Sequence, residues 1–304
     1  MTRWLVTGAR GLLGRELLPA LDRAGQPYTA LGHEDLDVTD PRAVRAAMAA
    51  HRPGVVVNTA AASDPARAPQ VNGAAPRRLA DACGEFGALL LHLSTADVFS
   101  GNARTPYAED ALPCPLNTRG RTRLEGERSV LQLLPWTGYV VRTSWLYGAG
   151  RFAPAGAAFA GERSAGFVSA LVRLERERDF VEVAAEQYGQ PTWSADAAAQ
   201  VVSLGLAALG GTASPGIYHA TSRGRCTRVE LAREVFRLLG ADPSRIRPVP
   251  ATSSRPPRYT VLGHDRWRPT DVDPIRDWRT GLRAALPALL GAPGVRRGAV
   301  AVAG

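Results

Sequence analysis

Trp4-Leu5-Val6 runs straight into Thr7-Gly8-Ala9-Arg10-Gly11-Leu12-Leu13-Gly14, and no other stretch restricts the possible folds of this chain as much. The short apolar run reads as a buried strand, and leucines 13, 17, 18 and 21 fall at helical spacing. A glycine-rich turn between a strand and a helix binds phosphates. Gly8 permits the tight turn, Gly11 lets backbone approach a pyrophosphate, and Gly14 lets the helix pack closely on the strand. The N–H groups at the helix start, those of Leu12 and Leu13 among them, have no partner within the helix and face the anion. The spacing alone carries little weight in a chain with 31 glycines. Its position between strand and helix is what makes it informative.

The following strand, Tyr28-Thr29-Ala30-Leu31, ends on Gly32-His33, where a dinucleotide fold places an acid for the adenosine 2′-hydroxyl of NAD. Arg10 in the turn can meet a 2′-phosphate instead, which favours NADP and leaves NAD as the alternative. Equally, Arg10 can be a solvated surface residue. In Leu36-Asp37-Val38-Thr39-Asp40, Asp37 and Val38 fall where the adenine would lie, with Asp37 able to accept from its amino group. Asp40 reads as an N-cap before Pro41 and a helix through Met48. Val55-Val56-Val57-Asn58-Thr59-Ala60-Ala61 closes on small residues, placing Ala60 and Ala61 beside the nicotinamide half. A helix over 74–86 leads to the strand Leu89–Thr95, where His92 sits among leucines and reads as a histidine of the core, or one that supports a site residue, rather than a catalyst.

A helix through about Leu134 feeds a strand over 139–145. The segments 180–183, 194–209 (capped by Ser194-Ala195-Asp196) and 216–220 continue the alternation. This predicts an α/β fold built on a doubly wound parallel sheet. A helix over 227–239, the proline-rich 248–257 and a helix over 278–290 suggest a smaller C-terminal substrate domain. The expected organisation is a dinucleotide-binding core over 1–150, a mixed segment over 151–290 that supplies later core strands and a cap, and a loose tail over 291–304.

The formal charge is +9 and lysine is absent, so all 37 basic residues are arginine. They are interspersed with acids rather than gathered, which argues against a nucleic-acid binder and for a general Arg- and Ala-rich composition; the basic field would still attract phosphorylated small-molecule ligands. No apolar run approaches the roughly 20 residues of a bilayer span, and the start lacks a signal-peptide core, so the chain reads as cytoplasmic with no membrane partner. Cys83, Cys114 and Cys226 form no C-x-x-C pair, so neither a disulfide framework nor a metal site is expected.

Several segments in order carry a resemblance: the Gly8, Gly11, Gly14 turn; 57–61; Ser94-Thr95 with Val98-Phe99; Pro106-Tyr107-Ala108-Glu109; Pro115-Leu116-Asn117; Arg142 to Gly148; Gln187 to Thr192; Gly216 to His219; and Arg255-Pro256-Pro257 before Leu262. Over roughly 1–290 the chain resembles the extended short-chain dehydrogenases with a Rossmann-like core, and most closely the dTDP-4-dehydrorhamnose reductase family. The resemblance implies hydride transfer from NAD(P)H to a 4-keto sugar on a nucleoside diphosphate. It also implies a catalytic Thr or Ser, a Tyr, and a Lys four residues later that lowers the phenol pKa. On this sequence those positions are Thr95, Arg119 and Arg123. An arginine, with a pKa above about 12, is a poor proton donor but can stabilise an oxyanion. Arg123 can keep the lysine's ribose contact; Arg119 cannot copy a phenol.

Other departures surround the same place. Ala96-Asp97 follows Thr95 where the family has Asp-Tyr, 151–164 looks inserted, and Gly166 replaces an Asn. Asp97, two residues beyond Thr95 on an extended strand, would face the cleft as a substitute acid or as the partner of Arg119. Tyr107, Tyr147 and Tyr188 are further candidate acids, or else they fix loops. The clustered changes point first to an enzyme of deoxysugar or natural-product biosynthesis with a rebuilt site, acting on a nucleotide sugar or polyketide-type intermediate by a non-standard and even non-redox step. The alternatives are a 4-ketosugar reductase with a substitute proton donor, and a non-catalytic regulatory subunit, for which the regulatory subunit of methionine adenosyltransferase is the precedent. A homodimer is compatible with each.

Overall fold

The structure, a computed structural model, describes residues 2–149, 164–250 and 257–291. Along the chain lie β1 (Trp4–Thr7), α1 (Leu12–Arg23), β2 (Tyr28–Leu31), α2 (Pro41–His51), β3 (Val55–Asn58), α3 (Ala75–Phe86), β4 (Leu89–Thr95), α4 (Thr118–Leu133) and β5 (Gly138–Thr143). After these come β6 (Leu146–Tyr147), α5 (Ser164–Glu177), β7 (Val181–Ala184), β8 (Tyr188–Gly189), β9 (Thr192–Trp193), α6 (Ser194–Leu209) and β10 (Gly216–His219). The last are β11 (Cys226–Thr227), α7 (Arg228–Leu238), β12 (Ile246–Val249) and α8 (Trp278–Leu290). Most of the 151–164 stretch and the tail beyond Gly291 lie outside the described residues.

Six parallel strands form one sheet in the order β10-β5-β4-β3-β1-β2. The strands are buried on both faces, so alternate residues feed two different cores. Trp4, Val6, Val55, Val57, Leu91, Leu93, Tyr139 and Val141 pack with α1 and α6 on one side. Leu5, Val56, Leu90 and Val140 pack with α2, α3 and α4 on the other. From β1 the chain moves outward to β2 and then returns to the far side of β1 for β3. The strand order therefore reverses between β1 and β3, and a crevice opens there beyond the strand ends.

A third core gathers α5, α7, α8 and the paired strands β7 and β12. Here the structure corrects the sequence reading of 180–183 as part of the alternation that builds the main sheet. Among the described residues β7 pairs only with β12, and its pattern is buried, exposed, buried, intermediate. Glu182 turned to solvent marks a half-buried ribbon rather than a doubly covered central strand. The cap expected at Ser194–Asp196 is likewise corrected. α6 starts at Ser194 behind Trp193 with no side-chain cap, and Asp196 instead grips Arg276 through two bonds of 2.7 and 2.8 Å. Asp40, in contrast, caps α2 by accepting from the Arg42 N–H at 2.8 Å.

Candidate active site

The glycine turn closes against the end of β3. Gly8 has φ +68°, and a Cβ there would come within 2.7 Å of the Ala60 nitrogen. A Cβ at Gly14 would meet the Gly8 carbonyl oxygen at 2.4 Å. Both contacts are with backbone, so only glycine fits. Gly11 is the N-cap of α1 and supplies no side chain to its first turn. The N–H groups of that turn, from Leu12 and Leu13 onward, are left for an anion. Ala60 and Ala61 follow at the lip of the β1–β3 crevice, with Ala60 N held to Asn58 Oδ1 at 3.1 Å.

Beside the glycine turn, a cavity of about 460 Å³ is lined by Ala9, Arg10, Arg15, Leu18, Ala30, Leu31, Gly32 and Asp35. Arg10 lies across Gly32, where a Cβ would come within 2.9 Å of its Cδ. Its guanidinium bonds Glu34 and reaches Asp35 at 3.3 Å, and Asp35 also accepts from Gly32 N at 2.8 Å. The acids absent from positions 32 and 33 are thus supplied two residues later. Asp37 accepts from both the backbone and hydroxyl of Thr39, at 2.8 and 2.7 Å, which holds its carboxyl below the usual range. Val38 is buried in the core, so only its backbone is available to a ligand.

Asparagine 117 starts α4 by accepting from Gly120 N at 2.8 Å. A Cβ on Gly120 would lie 2.1 Å from the Asp97 carbonyl oxygen, so the first turn of α4 sits directly against Asp97. That contact places Arg119 beside the Asp97 carboxylate, with Nε to Oδ2 at 3.1 Å. β4 ends at Thr95, which stands opposite Thr143 of β5. Asp97 is not on an extended strand, which corrects the sequence reading. Thr95 Oγ1 accepts from Asp97 N at 3.3 Å and starts a single 3₁₀ turn, Ala96–Val98. It is the turn and the approach of α4 that bring Asp97 to Arg119.

Four residues on, Arg123 points inward and donates from one terminal nitrogen to Leu93 O at 2.6 Å. Burial first, and then repulsion from Arg119, push its pKa down to about 10, while Asp97 and Glu127 oppose the shift. It remains a cation at neutral pH. Beneath it Glu127 is 1% exposed, as is its partner Arg142. Arg142 donates to Glu127 at 3.0 and 2.7 Å, and Ser94 donates to the same carboxylate at 2.5 Å. This ion pair fixes α4 to β4 and β5 just below Thr95.

The three candidate tyrosines each pack on neighbours of their own. Tyr107 stacks on Phe99 at 4.1 Å and its oxygen accepts from Gly101 N and Ala103 N. Tyr147 is buried in the third core, where desolvation raises its pKa. Tyr188 lies on β8 with its ring beside Tyr259. His92 is fully buried, as its leucine neighbours implied. Trp145, part of the Arg142 to Gly148 segment, is held at φ +40°, which no local pattern announces. A Cβ on Gly189 would be 2.3 Å from its ring, and the Arg228 guanidinium lies 4.0 Å from the ring centre. A bulky residue in that backbone region is strained.

A six-stranded parallel sheet with a glycine turn at its switch point, and Thr95 beside the Asp97–Arg119 ion pair, have the architecture of the short-chain dehydrogenase class. Residues 2–290 match the RmlD substrate binding domain, and the chain belongs to that family. It is 51% identical over 303 residues to a dTDP-4-dehydrorhamnose reductase of Streptomyces griseus, covering 96% of this chain and 95% of that one. It is 45% identical to a dTDP-4-keto-6-deoxy-D-glucose reductase of Streptomyces niveus, covering 94% and 97%. The crystal structure of a dTDP-4-dehydrorhamnose reductase from Bacillus anthracis in complex with NADP matches with a TM-score of 0.81 at 28% identity, covering 94% and 99%. These relatives favour the reductase alternative over the non-standard reaction placed first by the sequence reading. No helix among the described residues is long and apolar enough to cross a membrane.

Proposed function

We propose that the protein is an NADPH-dependent 4-ketoreductase of dTDP-linked deoxysugars, in which an arginine-based site replaces the tyrosine–lysine pair. The observation that carries this reading is the Arg119–Asp97 pair standing beside Thr95, in a chain whose relatives at 45–51% identity are named as reductases of such sugars. The glycine cradle, the uncapped first turn of α1 and the Arg10 cavity suit a dinucleotide phosphate. When bound, NADPH supplies the hydride.

The substrate carbonyl carbon gains a C–H bond as its C=O π bond breaks, and the oxygen becomes an alkoxide. Thr95 donates a hydrogen bond to that oxygen, and Arg119 stabilises its charge without giving up a proton. Water delivers the proton, leaving hydroxide to be neutralised by solvent. Asp97 holds the guanidinium in place. Arg123, cationic and half-buried, faces the nicotinamide ribose.

The test is NADPH oxidation, followed at the nicotinamide absorbance, with dTDP-4-dehydrorhamnose and dTDP-4-keto-6-deoxy-D-glucose. Turnover is expected, and Arg119→Met should lower kcat by about tenfold to a hundredfold, less than a fully enclosed donor because Arg119 is 48% exposed. Absence of oxidation above background with either sugar overturns the proposal.

A further inference from the structure

Two buried nitrogen atoms near the site, His92 Nε2 and Arg123 Nε, have no hydrogen-bond partner among the described residues. The state of the histidine follows from its neighbours. Asn58 Oδ1 accepts from Thr7 Oγ1 at 2.8 Å and from Ala60 N at 3.1 Å, which fixes the orientation of the amide. Its NH₂ therefore faces His92 Nδ1 at 3.0 Å. An amide nitrogen only donates, so Nδ1 accepts and the neutral ring carries its hydrogen on Nε2. Burial, aided by the nearby Arg123 charge, lowers the ring pKa to about 3 and keeps it neutral.

Nε2–H is thus a donor, and so is Arg123 Nε–H. The two side chains are neighbours, close enough for the Arg123 charge to act on the ring. Leu93, whose carbonyl receives Arg123, is the residue after His92. Gly126, one helical turn beyond Arg123 on the same face, is where a Cβ would come within 3.2 Å of His92 Nε2. Two donors cannot satisfy each other, and each buried donor left unpaired is costly. A water molecule accepts two hydrogen bonds and fits a polar site of this kind.

We propose that one buried water is held between His92 Nε2–H and Arg123 Nε–H, making His92 the positioning residue for the Arg123 guanidinium. The proposal rests on the reading that Arg123 contacts the cofactor. The chain Thr7–Asn58–His92–water–Arg123 links the end of β1, where the glycine turn begins, to the helix that carries both arginines. Cofactor affinity should therefore feel the histidine, although His92 touches no ligand.

NADPH titration by nicotinamide fluorescence tests this with the full chain. His92→Phe, which keeps the ring shape without its nitrogens, should weaken NADPH binding by about tenfold. Arg123→Ala should weaken it comparably, and the double variant should be no weaker than Arg123→Ala alone. His92→Gln, whose amide can both accept and donate, should retain most of the affinity. Independent, multiplying effects overturn the proposal, as does a His92→Gln loss equal to that of His92→Phe.

Should His92→Phe fail to fold, the His92→Gln titration and a high-resolution crystal structure of the native chain decide. A density peak within hydrogen-bond distance of both nitrogens supports the water, and direct contact or an empty space overturns it. Coupling without sugar reduction would sink the proposed activity and leave this inference standing. Turnover without coupling would do the reverse.

Discussion

Replacing Glu127 with Met should destabilise the protein by about 3–5 kcal/mol, because it leaves the Arg142 guanidinium buried without its counter-charge. The pair is 1% exposed on each side, and the carboxylate takes two bonds from Arg142 at 3.0 and 2.7 Å. The Ser94 hydroxyl also loses its acceptor. With an unfolding entropy of about 2.1 cal/mol/K per residue, 304 residues give about 0.64 kcal/mol/K, so a loss of 4 kcal/mol lowers Tm by about 6 °C. Thermal unfolding of the native chain, the single variant and the Glu127→Met/Arg142→Met double variant is the assay. Removing both charges also removes the desolvation cost, so the double variant should return to within about 2 kcal/mol of the native chain. A single variant that loses less than about 1 kcal/mol, or a double variant worse than both singles together, would refute the reasoning.

Gly14→Ala should abolish detectable NADPH binding, since the added carbon would lie 2.4 Å from Gly8 O and 2.7 Å from Ala9 Cα and must part α1 from the turn; isothermal titration reads this. Arg10→Ala should weaken NADPH by about tenfold while NADH changes little, whereas Glu34→Gln should strengthen NADPH by removing one of the two acids that compete for Arg10; fluorescence titration with both cofactors checks the pair. Stability should fall with acid. Burial lowers the pKa of His92 to about 3 and of His264 to about 4, below the unfolded value near 6.5. Their contribution is complete above about pH 6.5 and is lost as pH falls toward those folded values. At about pH 5.5 the two together should cost about 2–3 kcal/mol, visible as a lower urea midpoint with an unchanged slope.

The sheet layer was largely legible because its residues obey one rule at a time. Tyr28–Leu31 and Leu89–Thr95 are bounded by Gly, Pro or a change of hydrophobicity, and both strands have the limits read from the sequence. Asp97 was misplaced because an extended strand and a 3₁₀ turn look alike over three residues, and what selects the turn is Gly120 arriving from α4 more than twenty residues later. Asp196 looked like a cap because its claim on Arg276 spans 80 residues. Glu34 and Asp35 as partners of Arg10, and the strained Trp145 wedged at Gly189, depend on chain crossings that no local pattern encodes.

The later half of the chain does not stay on one side. α6 and β10 join the sheet layer, α7 and β12 join the third core, Trp267 and Ile275 return to the sheet layer, and Trp278 opens α8 in the third core again. Several strands of chain therefore cross between the two bodies, and the crossings act like stitches through a seam. Such a seam restricts motion to small sliding rather than free swinging about one pivot. It also means that a cut after Ala149 would yield two fragments, each missing part of its own core, which would gain a native shape only by reassembling with one another.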